Sequence, residues 1–104
     1  LNVDADDSWL LRLYVAGRSA SLSYRAEANL TSLCEKYLRG RYQIHVIDLS
    51  DDPRLAKEHE IVAVPTVVRE RPVPFRKVIG DLRDTERTLF GLDFRRELVR
   101  TVVL

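Results

Sequence analysis

The sequence predicts an α/β domain in the order βαβαββα, and three observations carry that prediction. Two strand-like segments, the apolar run 9–15 and residues 42–49, flank a stretch whose apolar residues recur at helical spacing. A further apolar run, residues 61–68, contains Pro65, which offers no N–H to a sheet ladder and so belongs at a strand's start, an edge or a bulge. A charged, proline-containing stretch (69–74) then separates that run from a short β-prone segment and a last helix.

Trp9 to Val15 is nearly continuously apolar, the mark of a strand covered on both faces. Gly17-Arg18-Ser19-Ala20-Ser21 reads as a turn, with Ser19 or Ser21 able to cap a helix. From there Leu22, Ala26, Leu30, Leu33, Cys34, Tyr37 and Leu38 share one helical face, and Gly40 stops the helix. Strand, helix and strand at this spacing form a parallel, right-handed βαβ unit. Asp52-Pro53 starts a short helix over about 53–60, the Asp side chain accepting from free N–H groups. Residues 69–74 read as a turn or extended connector, and 75–79 as a short strand. Asp84 caps a last helix through Leu89 and Phe90, with Gly91 as the residue just past its end. This is the thioredoxin-like order. Residues 1–8 read as a disordered lead-in, 9–93 as the domain, and 94–104 as a helix or tail available for self-association through Leu98, Val99, Val102, Val103 and Leu104.

Thiol redox chemistry is not expected on this frame. The chain has one cysteine, so neither an internal disulfide nor a C-x-x-C pair can form. Cys34 falls on an apolar helix face, where a thiol behaves as a small hydrophobe. At 104 residues and 45% hydrophobic the chain supports one modest core, and a net charge of +1 gives no field for nucleic acid or an anionic membrane. No apolar stretch is long enough to span a bilayer, and a lone cysteine fits a cytoplasmic setting. His45 and His59 lack a partner at ligand spacing, so no metal is expected. Asp48, at a strand end, reads as a turn acceptor. No nucleophile–base pair and no phosphate-cradling glycine loop is visible, so the chain is expected to be no enzyme and to need no cofactor.

Leu13-Tyr14-Val15-Ala16-Gly17, then Val46-Ile47-Asp48-Leu49 with Pro53, Leu55 and Ala56, then Ala63-Val64-Pro65-Thr66, and finally Ile79-Gly80-Asp81-Leu82 followed by Gly91-Leu92-Asp93 together resemble the KaiB family of circadian clock proteins. The resemblance runs in register from about Leu10 to about Asp93. It implies a non-catalytic protein that binds a KaiC-type hexameric ATPase, with KaiA or a sensor histidine kinase as further partners, and that forms homo-dimers or homo-tetramers. It also implies a second, ground-state arrangement of the same chain, βαββααβ, that converts to the thioredoxin-like form. Arg25, Arg69, Arg76 and Lys77 match basic family positions and are expected to bind the partner. Pro65, Pro72, Pro74, Gly91 and Asp93 are expected to govern the switch: X-Pro bonds isomerise slowly, and Gly91 weakens a helix that would otherwise run over 85–100. Val73 stands between two prolines where family members often have three in succession, and Glu60 where a basic residue is common; both suit a divergent paralogue or a host lacking KaiA. Two other classes stay open: a thioredoxin-like sensor related to a histidine kinase, and a redox enzyme using Cys34 alone.

Overall fold

The fold is seen in a computed structural model in which residues 8–103 are described. Four strands form one sheet: β1 (Trp9–Val15), β2 (Tyr42–Asp48), β3 (Thr66–Arg71) and β4 (Arg76–Ile79). Four helices accompany them: α1 (Ser21–Tyr37), α2 (Arg54–Glu58), α3 (Thr85–Gly91) and α4 (Arg95–Val103). The sheet order is β2-β1-β3-β4, with β1 parallel to β2 and antiparallel to β3, and β3 antiparallel to β4. Through α3 this is the expected βαβαββα order, and α4 is the helical form of the carboxy-terminal segment. Residues 1–7 of the lead-in expected over 1–8, and Leu104, lie outside the described residues.

Alternation along the strands divides the core in two. Trp9, Leu11, Leu13 and Val15 from β1, with Val67 and Val78, meet Ala26, Leu30, Cys34 and Leu38 of α1 and Leu92 and Phe94 beyond α3. On the opposite face Tyr14 packs with Leu49 and Ile61, and with Leu55 and Ala56 of the short α2. Phe94 is fully buried, its ring 4.6 Å from Trp9 and 6.0 Å from Tyr37. Arg41 pairs with the buried Glu97 of α4 at 2.6 Å, which ties the last helix to the start of β2.

Three local expectations are corrected. The third strand begins at Thr66, opposite Tyr14, and runs on through Arg71 opposite Leu10; Pro65 has no N–H with which to start the ladder, and Pro72 ends it in the same way. Residues 69–71 are therefore sheet rather than connector. The 64–65, 71–72 and 73–74 peptide bonds are cis. At the start of α1 the N-cap is Ala20, with no side-chain cap from Ser19 or Ser21.

The end of α3 is the third correction. Gly91 is its last helical residue, and Asp93, at φ 56°, is the left-handed residue that stops it. Asp93 N–H donates to Phe90 O at 3.1 Å and Phe94 N–H to Leu89 O at 2.9 Å, the paired bonds of a Schellman cap with Asp93 at C′. Gly91 serves packing instead. A Cβ there would lie closer to Val78 Cγ2 than real Cβ contacts do, so its hydrogen is what lets α3 approach β4. Asp84 caps the other end as expected, accepting from Arg87 N–H at 3.1 Å.

Candidate partner-binding site

The turn between β1 and α1 is held by one carboxylate. Asp48, at the end of β2, accepts from Gly17 N–H and Arg18 N–H at 2.9 Å each and from Ser50 N–H at 2.9 Å. Gly17 supplies the positive φ (83°) that the turn needs. The Gly17 and Ser50 amides, with Arg18 assisting, hold the Asp48 carboxyl below its ordinary value. A lowered folded-state pKa stabilises the fold above the unfolded value of ~3.9, and the gain is lost as pH falls through the folded value. Asp48→Ala is therefore expected to lower the urea midpoint at pH 7, with the gap from wild type closing in acid. A gap that persists unchanged at pH 2 would contradict this role.

Cys34 is fully buried on α1, and desolvation pushes its thiol up to about 12. Native protein at pH 8 is expected to resist iodoacetamide and to react fully in urea. Labelling of the native chain at the rate of a free thiol would contradict that placement.

The basic residues singled out in the sequence separate into different settings. Arg25 is exposed on α1, and Arg76 and Lys77 are exposed on the edge strand β4. Arg76 lies 3.9 Å from Asp93, and Lys77 Nζ donates to Glu60 O at 3.0 Å. Lys77 shares a cross-strand row with Val68, Arg12 and His45, on the sheet face opposite that of Val78. Arg12 there is bound by Glu70, and Tyr14 Oη hydrogen bonds to His59 Nδ1 at 2.7 Å.

Arg69 departs from the expectation of a surface cation. It is 4% exposed, because β3 continues through it and alternation puts it on the core side with Val67. Its guanidinium lies 5.1 Å from the Trp9 ring. Nη1 donates to Leu92 O at 2.8 Å and Asp93 O at 3.3 Å, and Nη2 to Pro74 O at 2.8 Å. Burial lowers its pKa from the usual arginine value, and it stays charged at any ordinary pH. Arg69, Pro74 and Asp93 thus converge on one point, which Arg76 borders. Pro65 is buried at the head of β3, and Arg25 is on α1; neither belongs to that cluster. The partners missed in the sequence are Trp9 and the Leu92 carbonyl. Two-residue alternation from Val67 to Arg69 is the signal that finds the first. Asp93 is itself held below its ordinary pKa, first by the Arg95 side chain, which donates to it at 2.7 Å.

Among the described residues no group of three or more His, Cys, Asp or Glu side chains could hold a metal ion. None of the described helices is long and apolar enough to cross a membrane.

Residues 12–94 match the KaiB domain family. The chain belongs to the KaiB family. It is 43% identical to the circadian clock oscillator protein KaiB of Microcystis aeruginosa, over 89% of this chain and 88% of that protein. With KaiB of a Nostoc species it shares 44% identity over 89% of this chain and 85% of the relative. KaiB relatives bearing these names place the chain among circadian clock regulators. The structure is similar to the N-terminal domain of Synechococcus elongatus SasA, with a TM-score of 0.69 at 19% identity over 90% of this chain and 86% of that one. It is also similar to mitochondrial thioredoxin 3 of Saccharomyces cerevisiae, with a TM-score of 0.63 at 22% identity, covering 88% and 83% of the two chains. This KaiB family member therefore has a thioredoxin-like fold.

Proposed function

We propose that this chain is a non-catalytic clock or timer regulator that binds a KaiC-type hexameric ATPase. The observation that carries the reading is the 43% identity, spread over 89% of the chain, to a protein named as a clock oscillator KaiB. A fold alone would not carry it, since thioredoxin-like domains host many functions. The buried Cys34 thiol, pushed up to about 12, supports binding over redox catalysis. Arg25, Arg76 and Lys77 are exposed and, from their separate settings on α1 and β4, are proposed as basic contacts for an acidic partner. The thioredoxin-like form is proposed as the binding form and βαββααβ as the resting one, with Pro65, Pro72, Pro74, Gly91 and Asp93 in the segments that rearrange. Self-association into dimers or tetramers, a cytoplasmic setting, and KaiA or a sensor histidine kinase as further partners belong to the same proposal. The likeness to the SasA N-terminal domain keeps a kinase-related sensor as the second reading.

The test is a fluorescence-anisotropy titration of labelled chain with an ATP-loaded KaiC-type hexamer, for wild type and for the combined Arg25→Ala, Arg76→Ala, Lys77→Ala variant. Wild type is expected to bind, and the variant about tenfold or more weaker. Equal affinities would remove the basic contacts from the account. Binding to a kinase but not to the hexamer would favour the sensor reading.

A further inference from the structure

Arg69 is a buried cation with no carboxylate among its hydrogen-bond partners. Its Nη1 and Nη2 donate only to main-chain carbonyls, those of Leu92, Asp93 and Pro74. Burying a charge is costly unless it is fully engaged, and here Nε is buried and unpartnered. A hydrocarbon side chain would fill the same core position without that cost. What the guanidinium supplies, and a hydrocarbon cannot, is simultaneous attachment to two separate stretches of backbone.

Of those two stretches the connector is otherwise thinly held, whereas the corner is also anchored by the buried Leu92 and Phe94. Pro74 lies in the connector between β3 and β4, where Val73 and Phe75 are 75% and 68% exposed. Leu92 and Asp93 form the corner between α3 and α4. The Schellman bonds satisfy the carbonyls of Leu89 and Phe90 within the helix, and the buried Leu92 carbonyl, outside those two bonds, accepts from Arg69. Trp9 closes over the guanidinium from the first strand. A second tie, Arg76 to Asp93, is longer at 3.9 Å and partly exposed, and pairs of that kind hold little.

We infer that Arg69 is a conformational latch: its guanidinium couples the 72–74 connector to the α3–α4 corner, and both are released together when it is removed. The β1–α1–β2 half has its own core contacts and keeps its structure. The inference rests on packing within this chain and stands or falls apart from the ATPase proposal.

Amide hydrogen exchange on Arg69→Met and Arg69→Lys tests it, read by peptide mass spectrometry on the full chain. In Arg69→Met, peptides covering 72–76 and 90–95 are expected to exchange roughly tenfold faster or more, with β1 and α1 peptides unchanged. Arg69→Lys keeps the charge but not the fork that reaches three carbonyls, so the same two regions should accelerate by a smaller factor. The single tryptophan gives an independent reading, since Trp9 emission should shift as its stacking cation leaves. Equal acceleration in all peptides would make Arg69 an ordinary core residue and overturn the latch. Acceleration in only one of the two regions, or in neither, would overturn the coupling. If Arg69→Met does not fold, the pattern in Arg69→Lys decides by the same criteria.

Discussion

Gly91→Ala is expected to destabilise the thioredoxin-like form by about 1–3 kcal/mol, the usual cost of forcing extra volume into a packed contact. Helix propensity alone predicts the opposite sign, because alanine is favoured over glycine inside a helix by ~1 kcal/mol. Gly91 lies within α3, so both effects operate and their signs compete. The added methyl would strike Val78 Cγ2. Val78 is buried and fixed in the sheet opposite Val67, so relief needs α3 to lift off β4. The steric term is expected to win. Urea denaturation of Gly91→Ala, Val78→Ala and the double variant separates the two effects. The double variant should be more stable than the sum of the single losses predicts, because shortening Val78 removes the clash. A Gly91→Ala protein more stable than wild type would return Gly91 to the role of a helix breaker.

Phe94→Ala should have the larger effect, about 3–5 kcal/mol, against a total of ~5–15 kcal/mol for a domain of this kind. Phe94 is fully buried and packs against Trp9 at 4.6 Å and Tyr37 at 6.0 Å. It joins β1, α1 and the α3–α4 corner in one contact, and no nearby side chain can fill its volume without dismantling another. Phe90, one turn earlier and 72% exposed, is the control: Phe90→Ala should change stability by less than about 0.5 kcal/mol. Thermal melts followed by Trp9 fluorescence report both. A loss under about 1 kcal/mol for Phe94→Ala would mean that the residues after Asp93 do not belong to the core.

Much of this fold is legible in the residues themselves. The apolar run of β1, the helical spacing from Leu22 to Leu38 and the β-prone segment of β2 each carry a clear local signal, and each forms the element that the signal predicts. Asp84 and Asp48 act as side-chain acceptors because short carboxylates satisfy nearby amides wherever a chain turns. What the sequence hides is set by tertiary contact. Arg69 looks like a surface cation beside Glu70 and Arg71 until β3 is extended past Val68, and only its register opposite Leu11 turns it inward. Gly91 looks like a helix terminator, since nothing local tells that Val78 stands against it. Asp93, a non-glycine residue in the left-handed region, carries weak local preference for that conformation. Arg12 with Glu70 and Arg41 with Glu97 pair across separations of 58 and 56 residues, which no periodicity reveals. The exposed candidates Arg25, Arg76 and Lys77 are legible only through the family pattern, because a solvated cation looks the same whether or not a partner meets it.

The most direct measurement is size-exclusion chromatography of this chain mixed with an ATP-loaded KaiC-type hexamer, sampled over hours. A peak larger than the hexamer alone, containing both proteins, is expected. Separate elution at every time point, with the hexamer intact and this chain folded, would contradict it.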